Sequence, residues 1–127
     1  MRRREGPARI YGWLAMAFAG LVVLQVFFAG LGLFGAESFD LHRSFGNILH
    51  GLTAVLLVLA ILGPGTRRDI VMAIALVVLA TVQIGIVSAR DGAPALAALH
   101  PVLALALLGL AVHMGLHELR GSRAVAR

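Results

Sequence analysis

The chain has 127 residues, 60% of them hydrophobic and only 13% charged, with a formal net charge of +5 and no cysteine. Apolar residues gathered in long blocks exclude an ordinary soluble domain. The lack of cysteine excludes disulfides, thiolate metal sites, iron–sulfur clusters and covalently attached c-type haem, which leaves histidine or simple contacts to hold any cofactor.

Four blocks are nearly free of charge, Ile10 to Phe34, Phe45 to Leu62, Ile70 to Ser88 and Ala95 to His117. Each is near or above the roughly 18 residues needed to cross the hydrocarbon core of a bilayer. Backbone groups in hydrocarbon must be satisfied within their own segment, so each block is predicted to be a helix. The first follows Met1-Arg2-Arg3-Arg4 and has the look of a secretory signal, but at about 25 residues it exceeds the roughly 7 to 15 of a signal core and is expected to remain as helix 1. Gly35 to Asp40, Gly63 to Asp69 and Ala89 to Pro94 supply the Gly, Pro, Asp and Ser of helix stops and starts. The expected fold is all-α: one membrane domain over residues 1–127, a four-transmembrane-helix bundle in contact with membrane lipid, with no soluble domain left over.

All eleven basic residues are arginine, and they set an orientation because basic residues near helix ends are retained in the cytoplasm. Arg2, Arg3, Arg4, Arg9, Arg67, Arg68, Arg120, Arg123 and Arg127 fall on one side, against Arg43 and Arg90 on the other. Both termini are therefore expected in the cytoplasm. The positive charge reads as a topology signal, and nucleic acid is not an expected partner.

A shift of 58 residues lays helices 1 and 2 over helices 3 and 4 and brings rare residues together. Gln25 falls on Gln83, the only two glutamines, Leu41-His42 on Leu99-His100, and Gly51-Leu52 on Gly109-Leu110. Helices 1 and 3 both run outward and helices 2 and 4 both run inward, as a tandem duplication of a two-helix unit requires. His42 and His100 become symmetry mates at equal depth near the outer surface.

Polar groups are costly in hydrocarbon, so Gln25, Asn47, His50, Thr53, Thr81, Gln83 and His113, with His42, His100 and His117 near the interfaces, are the candidate functional residues. At about 100° per residue, His42, Gly46, His50, Thr53 and Ala60 share one stripe of helix 2, and His100, Ala104, Ala111 and Gly115 one stripe of helix 4. Small residues below a histidine permit close helix packing, or they admit a flat cofactor. Paired imidazoles without thiolate suit b-type haem, with His42 and His100 as axial ligands. Arg43 and Arg90, the outer arginines, are placed either to pair with its propionates or to pair locally with Glu37, Asp40 or Asp91. Pro101 implies a kink at His100 or a boundary where an interfacial segment from Pro94 turns into helix 4. His50, about 12 Å deeper than His42, is the second candidate ligand and is also placed to hydrogen-bond Gln25. His113 and His117, four apart, have a metal-binding spacing but read better as a partly solvated interfacial pair.

The segment Glu37-Ser38-Phe39-Asp40-Leu41-His42-Arg43-Ser44-Phe45-Gly46 resembles the His-Arg-x-x-Gly or His-Arg-x-x-Ala opening of a helix in haem-binding membrane proteins, including the haem A synthase family. That resemblance implies a four-helix half with histidines near the outer side of its second and fourth helices, which His42 and His100 match. The chain departs from the pattern in the spacing of its Glu, in Pro101 where the first half has Arg43, and in carrying one such half. With its Leu41-His42-Arg43 and Leu99-His100-Pro101 landmarks the whole chain also resembles a small four-helix family of bacterial membrane proteins of unknown function, which implies the bacterial inner membrane.

No Ser/His/Asp set, phosphate-binding glycine loop or pair of intramembrane carboxylates is present, so enzymatic activity is not expected. The leading expectation is a haem-binding electron-transfer or haem-handling component served by a redox partner. Its rivals are a cofactor-free accessory subunit of a larger membrane complex, docking through the small-residue stripes, and a lipid or quinone site around Gln25, His50 and Gln83.

Overall fold

The computed structural model describes residues 5–63 and 65–125. Arg2, Arg3, Arg4 and Arg127 of the basic count lie outside them. Four long helices, α1 (Glu5–Leu33), α2 (Asp40–Leu62), α3 (Arg67–Ser88) and α5 (His100–Val125), are supplemented by the single turn α4 (Pro94–Ala97). The stretches 6–33, 40–62, 67–88 and 94–121 are each long and apolar enough to cross a membrane, and no strand occurs among the described residues. The protein is a four-helix membrane bundle.

Helices extend past the apolar blocks at several ends because local signals favour it. Asp40 lies in the first turn of α2, where a carboxylate complements the helix dipole. α3 starts at a capping box: Asp69 N–H donates to Thr66 Oγ1, while Thr66 N–H donates to Asp69 Oδ2 at 2.7 Å. Pro101 stands at a helix boundary, not at a kink within a continuous helix. The turn α4 is followed by Ala98 and Leu99, and α5 begins at His100. Proline is tolerated in a first turn because its missing N–H would have no intrahelical partner there.

α2 packs between α1 and α3, and α5 between α3 and α1, so α2 and α5 stand on one diagonal of the bundle. The core runs as one stripe per helix: Ala15, Phe18, Ala19 and Val22 on α1, Leu49, Thr53, Leu56 and Ala60 on α2, Ala73, Leu76 and Ala80 on α3, Leu107, Ala111 and Met114 on α5. Spacings of three and four place each set on one helix face. The opposite faces present Trp13, Phe27, Val55, Val78 and Leu105 outward, as contact with acyl chains demands.

The small-residue stripes are spent inside the bundle. Thr53 and Ala111 have no exposed surface, Ala60 1%, and Gly115 is buried where α5 meets α1. Close helix packing therefore accounts for the lower part of both stripes. The core is also lopsided along the bundle axis. No residue from 23 to 48, nor from 81 to 106, is buried, and these two stretches are related by the same 58-residue shift. The end carrying Arg67 and Arg68 is packed solid, whereas the end carrying His42 and His100 is open.

Candidate functional site: a histidine pair at the open end

His42 sits in the first turn of α2 and His100 opens α5, so both rings lie at the same end of diagonal helices. Their centroids are 6.1 Å apart and the ring planes are inclined by 76°. Each ring is held by the helix that precedes its own, α1 for His42 and α3 for His100, through the same bond. His42 Nδ1 lies 3.1 Å from the backbone carbonyl of Gln25, and His100 Nδ1 lies 3.1 Å from that of Gln83. A carbonyl oxygen only accepts, so Nδ1 is the protonated nitrogen in both rings and Nε2 keeps its lone pair. The 58-residue correspondence read from rare residues thus recurs at the level of contacts, with the partners 17 positions apart in each half.

The helix carbonyls at Gln25 and Gln83 accept these bonds in addition to their place in the helix, as two lone pairs allow. The Gln25 side chain adds a contact of its own: Nε2 donates to the His42 carbonyl at 2.7 Å and lies 3.5 Å from His42 Nε2. Its Oε1, like Oε1 of Gln83, is shielded from solvent without a hydrogen-bond partner among the described residues. Aromatic groups surround the first half, with Phe39 edge-on to His42 and Phe28 edge-on to Phe45 at 5.1 Å.

Other candidates fall elsewhere. His50 does not meet Gln25: its Nε2 is 3.0 Å from Thr81 Oγ1 on α3. Across the α1–α2 turn the Phe39 ring lies against Gly32, and Gln25, eight residues before the end of α1, bonds His42 in the first turn of α2. Levels counted from the middle of that loop are therefore displaced, and Gln25 comes level with His42. Gln25, His50 and Gln83 do not form one group. Arg43 pairs with Asp40 at 3.5 Å and Arg90 with Asp91 at 3.6 Å, the local alternative for both, with all four side chains well exposed.

At the other end, His113 and His117 do not act as a pair. Arg68 Nη2 donates to His113 Nε2 at 2.7 Å, while His117 turns to Asp69 and Glu118. The convergence of Asp69 and Glu118 on His117 was not read from the sequence. The capping spacing Thr66-x-x-Asp69 and the adjacency of Glu118 to His117 were the available signals, but the register of α3 against α5 is a tertiary fact.

Fold and site together define a small membrane protein with a symmetric, intrabundle histidine pair. The chain belongs to the DUF6220 family, a family of unknown function, which it matches over residues 25–90. The match takes in Gln25, His42, His50 and Gln83. No curated protein matches the chain, and no solved structure does.

Proposed function

We propose that this protein binds one b-type haem through His42 and His100 and serves as an electron-transfer or haem-handling component of a bacterial inner membrane, with its arginine-rich end in the cytoplasm. The observation that carries the reading is the pair of pinned rings. The two ring centres stand 6.1 Å apart, so that His42 and His100 would both be in reach of one haem iron.

Three further features suit the group. Protonation at Nδ1, enforced by the Gln25 and Gln83 carbonyls, is the arrangement that orients a histidine ligand and raises its basicity. The absence of buried residues around the pair, within 23–48 and 81–106, gives a flat ligand somewhere to go without emptying the core. Arg43 and Arg90 stand at the same end in exposed pairs worth little in stability, so they are free to turn to carboxylates of a ligand. Bound there, haem would supply a one-electron carrier in a membrane. His42 and His100 would hold the group, and the Gln25 and Gln83 carbonyls fix their tautomer.

The accessory-subunit alternative relied on small-residue stripes as docking surfaces, and Thr53, Ala60 and Ala111 are spent within the bundle instead. Absorption spectra of the membrane-extracted protein test the haem reading. Soret and α bands are expected in the wild type and lost in both His42→Ala and His100→Ala; bands unchanged in both variants would end it.

A further inference from the structure

The arginine-rich end holds a second constellation that the histidine pair does not use. Asp69 and Glu118 are 1% and 2% exposed, unusual for carboxylates, and His117 lies between them. Its Nδ1 is 3.3 Å from Glu118 Oε1 and 4.0 Å from Asp69 Oδ1. One ligand atom from each of the three residues lies within 4.8 Å of the others.

The sequence builds this cluster deliberately from three helices. The capping box engages Oδ2 of Asp69, which turns Oδ1 toward α5. Gly12 on α1 lets Glu118 come in: a Cβ on residue 12 would stand 2.9 Å from that of Glu118. Beside Gly12, Tyr11 is only 7% exposed, and its hydroxyl is buried with no hydrogen-bond partner among the described residues. It lies within electrostatic range of both Asp69 and Glu118. A buried phenol without a partner beside two buried carboxylates calls for a ligand to complete the set.

We propose that Asp69, His117 and Glu118 form a site for one divalent first-row transition-metal ion, with the Tyr11 hydroxyl completing or supporting its coordination. One imidazole nitrogen with two carboxylate oxygens suits zinc or manganese rather than calcium, which takes six to eight oxygens. A divalent cation seated between the two carboxylates would be held by both at once. The site is independent of the haem reading, being at the opposite end of the bundle.

The test is zinc titration of the full chain, purified in detergent without a polyhistidine tag and stripped with a chelator, followed by calorimetry; cobalt absorption reports the ligand field. One zinc per chain is expected. His117→Ala and Glu118→Gln, each checked for helix content by circular dichroism, should weaken binding at least tenfold, and Tyr11→Phe by about tenfold, as supporting groups do. His113→Ala and His42→Ala should bind as wild type. A folded wild-type protein that takes up no stoichiometric zinc or manganese overturns the proposal, as does zinc binding that survives in both His117→Ala and Glu118→Gln.

Discussion

Gly46 faces the side-chain amide of Gln25 so closely that a Cβ built on residue 46 would stand 2.8 Å from Nε2. The missing side chain lets Gln25 reach across from α1 to the His42 carbonyl, one turn above Gly46. Gly46→Ala should push the amide aside and lose that bond, at a cost of about 1 kcal/mol. The helices need not move, because the obstructed atom ends a flexible side chain. Denaturant unfolding measures the loss. The second half resembles this variant already: Ala104 holds the equivalent position, and the Gln83 side chain makes no such bond among the described residues.

A different glycine sets the approach of α1 and α5. A Cβ on Gly12 would meet Glu118 Cβ at 2.9 Å and the Gly115 carbonyl at 3.2 Å, and backbone cannot step aside as a side chain can. Gly12→Val should therefore force the helices apart and destabilise the bundle by about 1–3 kcal/mol. Gly109→Ala, where nothing lies within 4 Å, is the control and should stay within about 0.5 kcal/mol of wild type. Unfolding in detergent, followed by the fluorescence of the lone Trp13, compares the two.

Orientation is open to a direct measurement. Arg9, Arg67, Arg68 and Arg120 are all at the packed end, and Arg43 and Arg90 at the open end. Basic residues beside helix ends resist translocation, so a reporter active only outside the cytoplasm should be silent when fused after Arg127 and active when inserted beside Gly92. The reverse pattern would put the histidine pair on the cytoplasmic face.

The number of helices, their order and the equal level of His42 and His100 were legible in the sequence. Lipid leaves hydropathy as an almost complete guide to helical spans, and the Gln25/Gln83 and His42/His100 coincidences located the repeat. What stayed hidden was everything set by the vertical register of one helix against another. Gln25 lies at the level of His42 and not of His50, a register that no count of residues from the loop reveals. At the far end, the spacing of four suggested His113 with His117, yet the seating of α3 beside α5 gave Arg68 to His113 and Asp69 to His117. Helical spacing fixes a face, while the neighbour across the interface decides what that face meets.

His50 supplies the sharpest test of which histidines matter. Thr81 Oγ1 lies 2.9 Å from the Val77 carbonyl, to which it donates its only proton. It can therefore only accept from His50 Nε2, 3.0 Å away, so that nitrogen carries a proton and has no lone pair to offer a metal. His50 also lies two turns deeper than His42 along α2, next to the buried layer of Leu49 and Thr53. His50→Ala should cost about 1 kcal/mol of stability for the lost bond and leave any Soret and α bands where they are. Bands lost in His50→Ala but kept in His42→Ala would move the axial pair to His50 and His100, and would require α2 to slide by two turns relative to α5.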